Sequence, residues 1–310
     1  MPVHSQAAAS APPPVRRRSR QTRRDFWIFL AFVAPNVALI LMFTYIPLVN
    51  NAYFSTLDWT LGSRTATPVG LANYIEFFTS GDAATVLSTT AIFTLVTVLA
   101  PMGLGLALAV VLNRNVPGTT FARATVFAPY VLSGVGVGLV WLYIFDPTYG
   151  LLSSVLRMWF GAPSPEWFNN PTLALVMVMI VYTWKTLGYC AIVYVAGLQS
   201  LPKDVMEAAS LDGATGLTRF FHVVFPLLSP TTFFLLITSV LSSLQAFDLI
   251  RIMTPSGNGT QTLIYEAYIQ AFGGYNRAGY SAMISVVLFV LLLIMTAVQF
   301  RFVERKVHYS

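Results

Sequence analysis

Six stretches of this sequence stay apolar for about 20 residues or more, and that single feature limits the possible folds most. A helix rising 1.5 Å per residue needs about 20 apolar residues to cross a hydrocarbon layer roughly 30 Å thick. Inside that layer each backbone N–H and C=O must be bonded within its own element, so runs of this length are expected to be helices. The runs are residues 26–50, 86–113, 124–145, 173–198, 227–252 and 279–300. The expected fold is therefore an all-α integral membrane protein with six transmembrane helices. The first run is longer than the roughly 7–15 residues of a signal-peptide core and is expected to stay in the membrane as an anchor.

Composition excludes a soluble domain. Of 310 residues, 56% are hydrophobic and 10% charged, where soluble domains average about 25% charged. The net charge of +6 does not point to nucleic acid, because six Arg residues lie between Arg16 and Arg24. These belong to a tail rich in Ala, Pro and Ser that is expected to be disordered. Residues 1–25 are thus expected to be a basic tail, 26–301 a transmembrane domain and 302–310 a second tail. A single cysteine, Cys190, excludes an intrachain disulfide framework and a Cys-based metal site. His4, His222 and His308 lie too far apart in the chain for metal-ligand spacing. There is no phosphate-binding G-x-x-x-x-G-K-[ST], no G-x-S-x-G and no H-E-x-x-H. A membrane-embedded enzyme would need acids, His or Ser clustered at one membrane face, whereas the acids are scattered and no run contains His. A gradient-driven carrier would show inverted repeats and broken helices. No clear repeat is visible.

Orientation follows from Lys and Arg, which favour the cytoplasmic side. With the N-terminus inside, the inner segments hold Arg16, Arg17, Arg18, Arg20, Arg23, Arg24, Arg114, Arg123, Lys203, Arg219, Arg301, Arg305 and Lys306, thirteen of the 18 Lys and Arg residues. Both termini are then cytoplasmic. The outer loops are long and carry Trp59, Trp159 and Trp167, together with an amphipathic stretch at residues 71–78. Such aromatics suit the headgroup belt, or alternatively a docking surface for an external partner. Small-residue pairs expected at helix contacts are Gly134 with Gly138 and Gly103 with Ala107.

The cytoplasmic loop between helices 4 and 5 differs from the others. It reads as a short helix, a turn and another short helix. Pro202 suits a first helical position, and Asp204 and Glu207 suit the positive N-terminal end. Gly213 can take the left-handed conformation that stops the helix. Thr215 can cap the next helix, and Pro226 is expected to end it.

Glu207, Ala208 and Ala209, followed by Asp212, Gly213, Ala214 and the downstream Pro226, resemble the cytoplasmic signature of binding-protein-dependent ABC importer permeases of the sugar-type subgroup. The resemblance extends to Arg123, Pro129, Trp141, Gly70-Leu71-x-Asn73-Tyr74 and Phe247-Asp248. The run from Val298 to Tyr309 is similar to that in the first permease subunit of glycerol-3-phosphate importers. One departure is Pro255-Ser256-Gly257-Asn258-Gly259, where the subgroup often has a Gly-Gly-Pro turn. The resemblance implies a bacterial inner-membrane permease that forms half of a path for glycerol-3-phosphate or a glycerophosphodiester, or alternatively for a disaccharide or oligosaccharide. It implies a second permease, a dimer of ABC ATPases and an external solute-binding protein as partners, besides membrane lipid, and no nucleic acid. ATP and Mg would be held by the ATPases, with no cofactor in this chain. Glu207, Ala208, Ala209, Asp212, Gly213 and Ala214 would form the loop that couples to an ATPase.

Charges within the runs mark the candidate pathway. A charge at mid-bilayer costs at least ~2.5–3.5 kcal/mol, so it usually faces a partner or a water-filled cavity. Lys185 lies near the middle of the fourth run, and Asp248 and Arg251 lie near the outer end of the fifth. Lys185 and Arg251 can attract a phosphate; equally, Lys185 can pair with an acid or with carbonyl groups. Trp184, Tyr189 and Phe247 can stack on a sugar or glycerol face, or simply pack.

Overall fold

The structure, a computed structural model, describes residues 19–114 and 116–303 and divides into one unit up to residue 50 and a second from residue 51 onward. Residues 1–18 of the expected basic tail and 304–310 of the C-terminal tail lie outside the described residues.

In the first unit, α1 (Ser19–Ile40) begins ahead of the apolar run. A π-helical turn, Leu41–Tyr45, joins it to α2 (Ile46–Phe54). Pro47 explains the widened turn: it has no N–H to give the carbonyl four residues back, and its ring crowds that carbonyl. Phe26, Trp27, Phe29, Phe32 and Phe43 are all exposed. A helix apolar on every side suits a lipid environment.

The second unit opens with two short antiparallel strands, β1 (Leu57–Asp58) and β2 (Thr67–Pro68), with Leu57 opposite Pro68. Helices follow in the order α3 (Ala72–Thr79), α4 (Asp82–Leu112), α5 (Thr119–Val131), α6 (Gly134–Phe145), α7 (Leu151–Phe160), α8 (Pro171–Gln199) and α9 (Lys203–Leu211). Then come α10 (Gly216–Arg219), α11 (Phe225–Leu227), α12 (Ser229–Leu244), α13 (Asp248–Met253), α14 (Leu263–Phe272) and α15 (Ala278–Val298). Of the three loop tryptophans, only Trp159 is exposed. Trp59 packs on Phe54 and Trp167 packs edge-on against Phe145.

Among the described residues, four helices are long and apolar enough to cross a bilayer: Arg23–Phe54, Asp82–Leu112, Pro171–Gln199 and Ala278–Arg301. Six spans result only if two bent pairs count as one span each. This corrects the expectation of continuous third and fifth helices. The third breaks by 97° between α5 and α6. Leu132 and Ser133 are extended there, just ahead of the Gly-rich start of α6, which resists helix continuation. The fifth bends by 66° at Leu228, where Pro230 has no N–H for the preceding turn. It then stops at Leu244, and residues 245–252, expected inside the span, form a break and the separate short α13. Apolarity reports length in lipid, not straightness.

Close backbone approaches set the packing. A Cβ on Gly188 of α8 would lie 1.9 Å from the Val126 carbonyl oxygen of α5, and one on Gly105 of α4 would lie 2.8 Å from Cys190 Cβ of α8. Gly138 of α6 faces Ile252 at 2.8 Å and Gly134 faces Asp248 at 3.4 Å, as the first small-residue pair predicts. The second pair is corrected. Gly103 has nothing within 4 Å and Ala107 is exposed, while Gly105 makes the contact and Ala109, one turn on, is fully buried. Periodicity places both pairs on a helix, but only the neighbouring helix selects the face.

Helix ends are capped by named groups. Asn170 accepts from the N–H groups of Thr172 and Leu173, with Pro171 at the start of α8. Arg123 donates to the Leu112 carbonyl through Nε and Nη2, at 3.2 and 2.8 Å, which closes the C-terminus of α4. Buried Asn73 donates to the carbonyls of Ser55 and Leu57, both at 3.0 Å. Asn73→Ala strands two buried acceptors and should cost about 1–3 kcal/mol. A melting temperature in detergent equal to the parent's would contradict this.

Candidate functional site

The loop after α8 builds a compact knob. Pro202 is the N-cap of α9, one position ahead of where its sequence suggests, and its carbonyl accepts from Met206 N–H at 3.3 Å. Asp204 lies in the first turn of α9, where the helix dipole favours a carboxylate. At the other end, Ala214 N–H bonds Ala209 O at 3.0 Å and Gly213 N–H bonds Ser210 O at 3.2 Å. That reciprocal pair is a Schellman stop, and it needs Gly213 at φ +78°. Thr215 precedes α10 in an extended conformation, but its side chain makes no capping bond. Pro226 does not end the second segment. It lies inside α11, after a π-helical turn at Phe220–Val224, and the bend comes at Leu228.

The knob has two faces. Ala209 is buried, whereas Glu207, Ala208, Asp212 and Gly213 are exposed and Ala214 is half-buried. Behind α9 lies a cleft of about 360 Å³ whose lining includes Asn113, Lys203, Glu207 and Arg219. Arg219 Nε is buried there with no hydrogen-bond partner among the described residues. Sequence inspection misses the apolar part of the surface. Leu211 is 90% exposed and Leu217 75%, and Phe221 is exposed nearby in the chain. Their signal was available as apolar residues at the ends of short polar helices.

The second candidate region is the elbow between α5 and α6. Lys185 Nζ donates to the Tyr130 carbonyl at 2.8 Å and lies 5.4 Å from the Tyr130 ring centre. Tyr130 stacks on Tyr189 at 4.7 Å and 17°. Trp184 is partly exposed and meets Trp141 edge-on at 5.3 Å. Asp248 is exposed and lies at the same elbow through its contact with Gly134. It forms no ion pair with Lys185, since the one ion pair among the described residues joins Arg277 to Glu76 at 2.7 Å. Arg251 points elsewhere, with its guanidinium 4.6 Å from the Tyr268 ring and 6.0 Å from that of Phe247. Of the five pathway candidates, the fold therefore gathers Lys185, Trp184, Tyr189 and Asp248 around the elbow and leaves Arg251 on an aromatic shelf. Tyr130 is the partner that inspection of the sequence alone did not find.

A separate polar cleft of about 780 Å³ is lined in part by Asp82, Glu266, Gln270 and Arg277. Burial pushes the Glu266 carboxyl above its ordinary range, against the opposing Gln270 amide, which donates to it at 2.7 Å.

A family model described as the inner membrane component of binding-protein-dependent transport systems matches residues 100–308. The sn-glycerol-3-phosphate transport system permease protein UgpA of Agrobacterium fabrum is 39% identical over 285 residues, covering 90% of this chain and 95% of that protein. The protein of that name from Yersinia pestis is 32% identical over 291 residues, covering 92% and 96%. Among solved structures, a bacterial ABC transporter involved in import of the acidic polysaccharide alginate superposes with a TM-score of 0.80 at 20% identity, covering 94% of this chain and 99% of that one. The alginate transporter in complex with its pentasaccharide-bound periplasmic protein gives 0.78 at 21% identity. These two likenesses concern the fold.

Proposed function

Because the chain belongs to the family of inner membrane components of binding-protein-dependent transport systems, we propose that it forms half of an import path for glycerol-3-phosphate or a glycerophosphodiester. It is a permease subunit rather than an enzyme. Identity of 39% across nine-tenths of the chain to a relative named for sn-glycerol-3-phosphate carries this reading, and favours it over a disaccharide or oligosaccharide. Broken helices are expected of a gradient-driven carrier, yet two bent helix pairs occur here in a chain of this family. Helix breaks therefore do not separate the two classes.

The expected partners are a second permease, two ATPases that supply ATP and Mg chemistry, and an external solute-binding protein. The knob at residues 203–214 is the ATPase-coupling element: its stop is rigid, its outer side combines carboxylates with exposed Leu211, and it lies between two membrane-crossing segments. The transmembrane domain is residues 26–301, flanked by cytoplasmic tails. Six spans, with each bent pair counted once, keep both termini on the inside, in agreement with the distribution of Lys and Arg.

Reconstituted with its partners, the complex should take up labelled glycerol-3-phosphate only with ATP and the binding protein present. Uptake driven by an ion gradient without ATP would sink the reading. For topology, a cysteine at exposed Ser210 should react only with reagents that reach the cytoplasm. Its labelling by an impermeant external reagent in intact cells would contradict the orientation.

A further inference from the structure

We propose that the Lys185 ammonium is a latch on the α5–α6 elbow, released when an anionic polyol takes its place. The inference rests on the anionic-cargo reading above. Tyr130 is the next-to-last residue of α5, and the last carbonyls of a helix have no partner within it. An ammonium at that end satisfies a carbonyl and also the negative end of the helix dipole. Lys185 does this from α8, at 2.8 Å.

The surroundings make the bond exchangeable. An ammonium has three donors, and among the described residues the Tyr130 carbonyl is its only hydrogen-bond acceptor. No carboxylate pairs with it there. Lys185 is half-buried and Tyr130 is exposed, so a solute can reach both. The bond to the carbonyl already has an ionised donor, whereas a phosphate adds a full opposite charge and several acceptors for the ammonium's three donors. The hydroxyls of a glycerol unit can donate to the Tyr130 carbonyl as the ammonium leaves it. The exchange therefore strands neither group, which neither glycerol nor a simple anion achieves as well.

The fold also says which half moves. Gly188 locks α5 against α8, with no room for even a methyl group at the Val126 carbonyl. Beyond the extended Leu132 and Ser133, α6 packs on α13, through Gly138 on Ile252 and Gly134 on Asp248, and meets α8 only edge-on through Trp141 and Trp184 among the described ring contacts. Release of the latch leaves the last turn of α5 without its cap, so the extended Leu132–Ser133 link can change its angle and carry α6 with it, while Gly188 keeps the rest of α5 on α8. The cargo favours the released state because only there is the ammonium available to it, which is the differential affinity that a population shift requires.

The test uses the full complex in nanodiscs without ATP, with spin labels at exposed Val131 and Tyr143 on either side of the elbow. In the parent, millimolar glycerol-3-phosphate should shift the inter-label distances, inorganic phosphate should shift them less, and glycerol should not. Lys185→Met should show the shifted distances without solute, with the released-to-latched ratio up by about tenfold, and should not respond further. Lys185→Arg should behave as the parent. If Lys185→Met fails to assemble, Lys185→Gln decides: it keeps a donor for the carbonyl, so it should stay latched and ignore the anion. A Lys185→Met complex with the parent's distances, or a Lys185→Gln complex that still responds to phosphate, overturns the latch. Lost glycerol-3-phosphate uptake in Lys185→Met with unchanged distances would reject the latch and leave the cargo reading standing. A parent that imports no glycerol-3-phosphate, yet whose distances respond to inorganic phosphate, would reject the cargo and keep the latch.

Discussion

Gly188→Ala should leave almost no assembled permease. A methyl group there would lie 1.9 Å from the Val126 carbonyl oxygen, 2.8 Å from its carbon and 3.1 Å from Phe127 Cα. All three are backbone atoms, so no rotamer change relieves the overlap and α5 must move off α8. Overpacking a core usually costs about 1–3 kcal/mol, with more expected where the backbone itself is displaced. Gly103→Ala is the control, because nothing lies within 4 Å of that added methyl. The measurement is the yield of monodisperse complex by size-exclusion chromatography, with its melting temperature. Parent-like values for Gly188→Ala would mean that α5 and α8 do not cross as described.

The second large effect concerns the knob. Glu207→Lys and Gly213→Asp should abolish transport while the protein still inserts, since neither residue lies in a candidate span. Gly213 has open space around it, so Gly213→Ala reports backbone strain alone, roughly 1–2 kcal/mol for a side chain in the left-handed region. A defect deeper in Gly213→Asp than in Gly213→Ala then belongs to the added charge on the exposed side of the knob, because Asp tolerates that conformation better. Leu211→Glu should weaken ATPase binding by about 10–100-fold, since burying a leucine contributes about 1.5–3 kcal/mol. Co-purification of the ATPase and its stimulated hydrolysis are the readouts. Normal coupling in all these variants would remove the knob from the ATPase interface.

Much of the knob was legible from sequence because its logic is local. Gly213, Ala209 and Ala214 lie within six positions, and a Schellman stop is written in residues that close together. The exposed leucines were less legible. Leu211 and Leu217 look like ordinary core leucines until the fold shows that nothing covers them among the described residues.

The sequence by itself determined that this chain lives in a membrane, where its apolar runs lie and how α9 stops. These follow from transfer free energy and short-range backbone bonding, which depend on neighbours in the chain. Only the tertiary structure decided that Gly105 rather than Gly103 meets α8, that residues 124–145 turn by 97°, and that Lys185 holds the Tyr130 carbonyl. Lys185 and Tyr130 are 55 positions apart. A proline shows that a helix can break, but the angle and the group that caps the broken end are set by whichever helix packs against it.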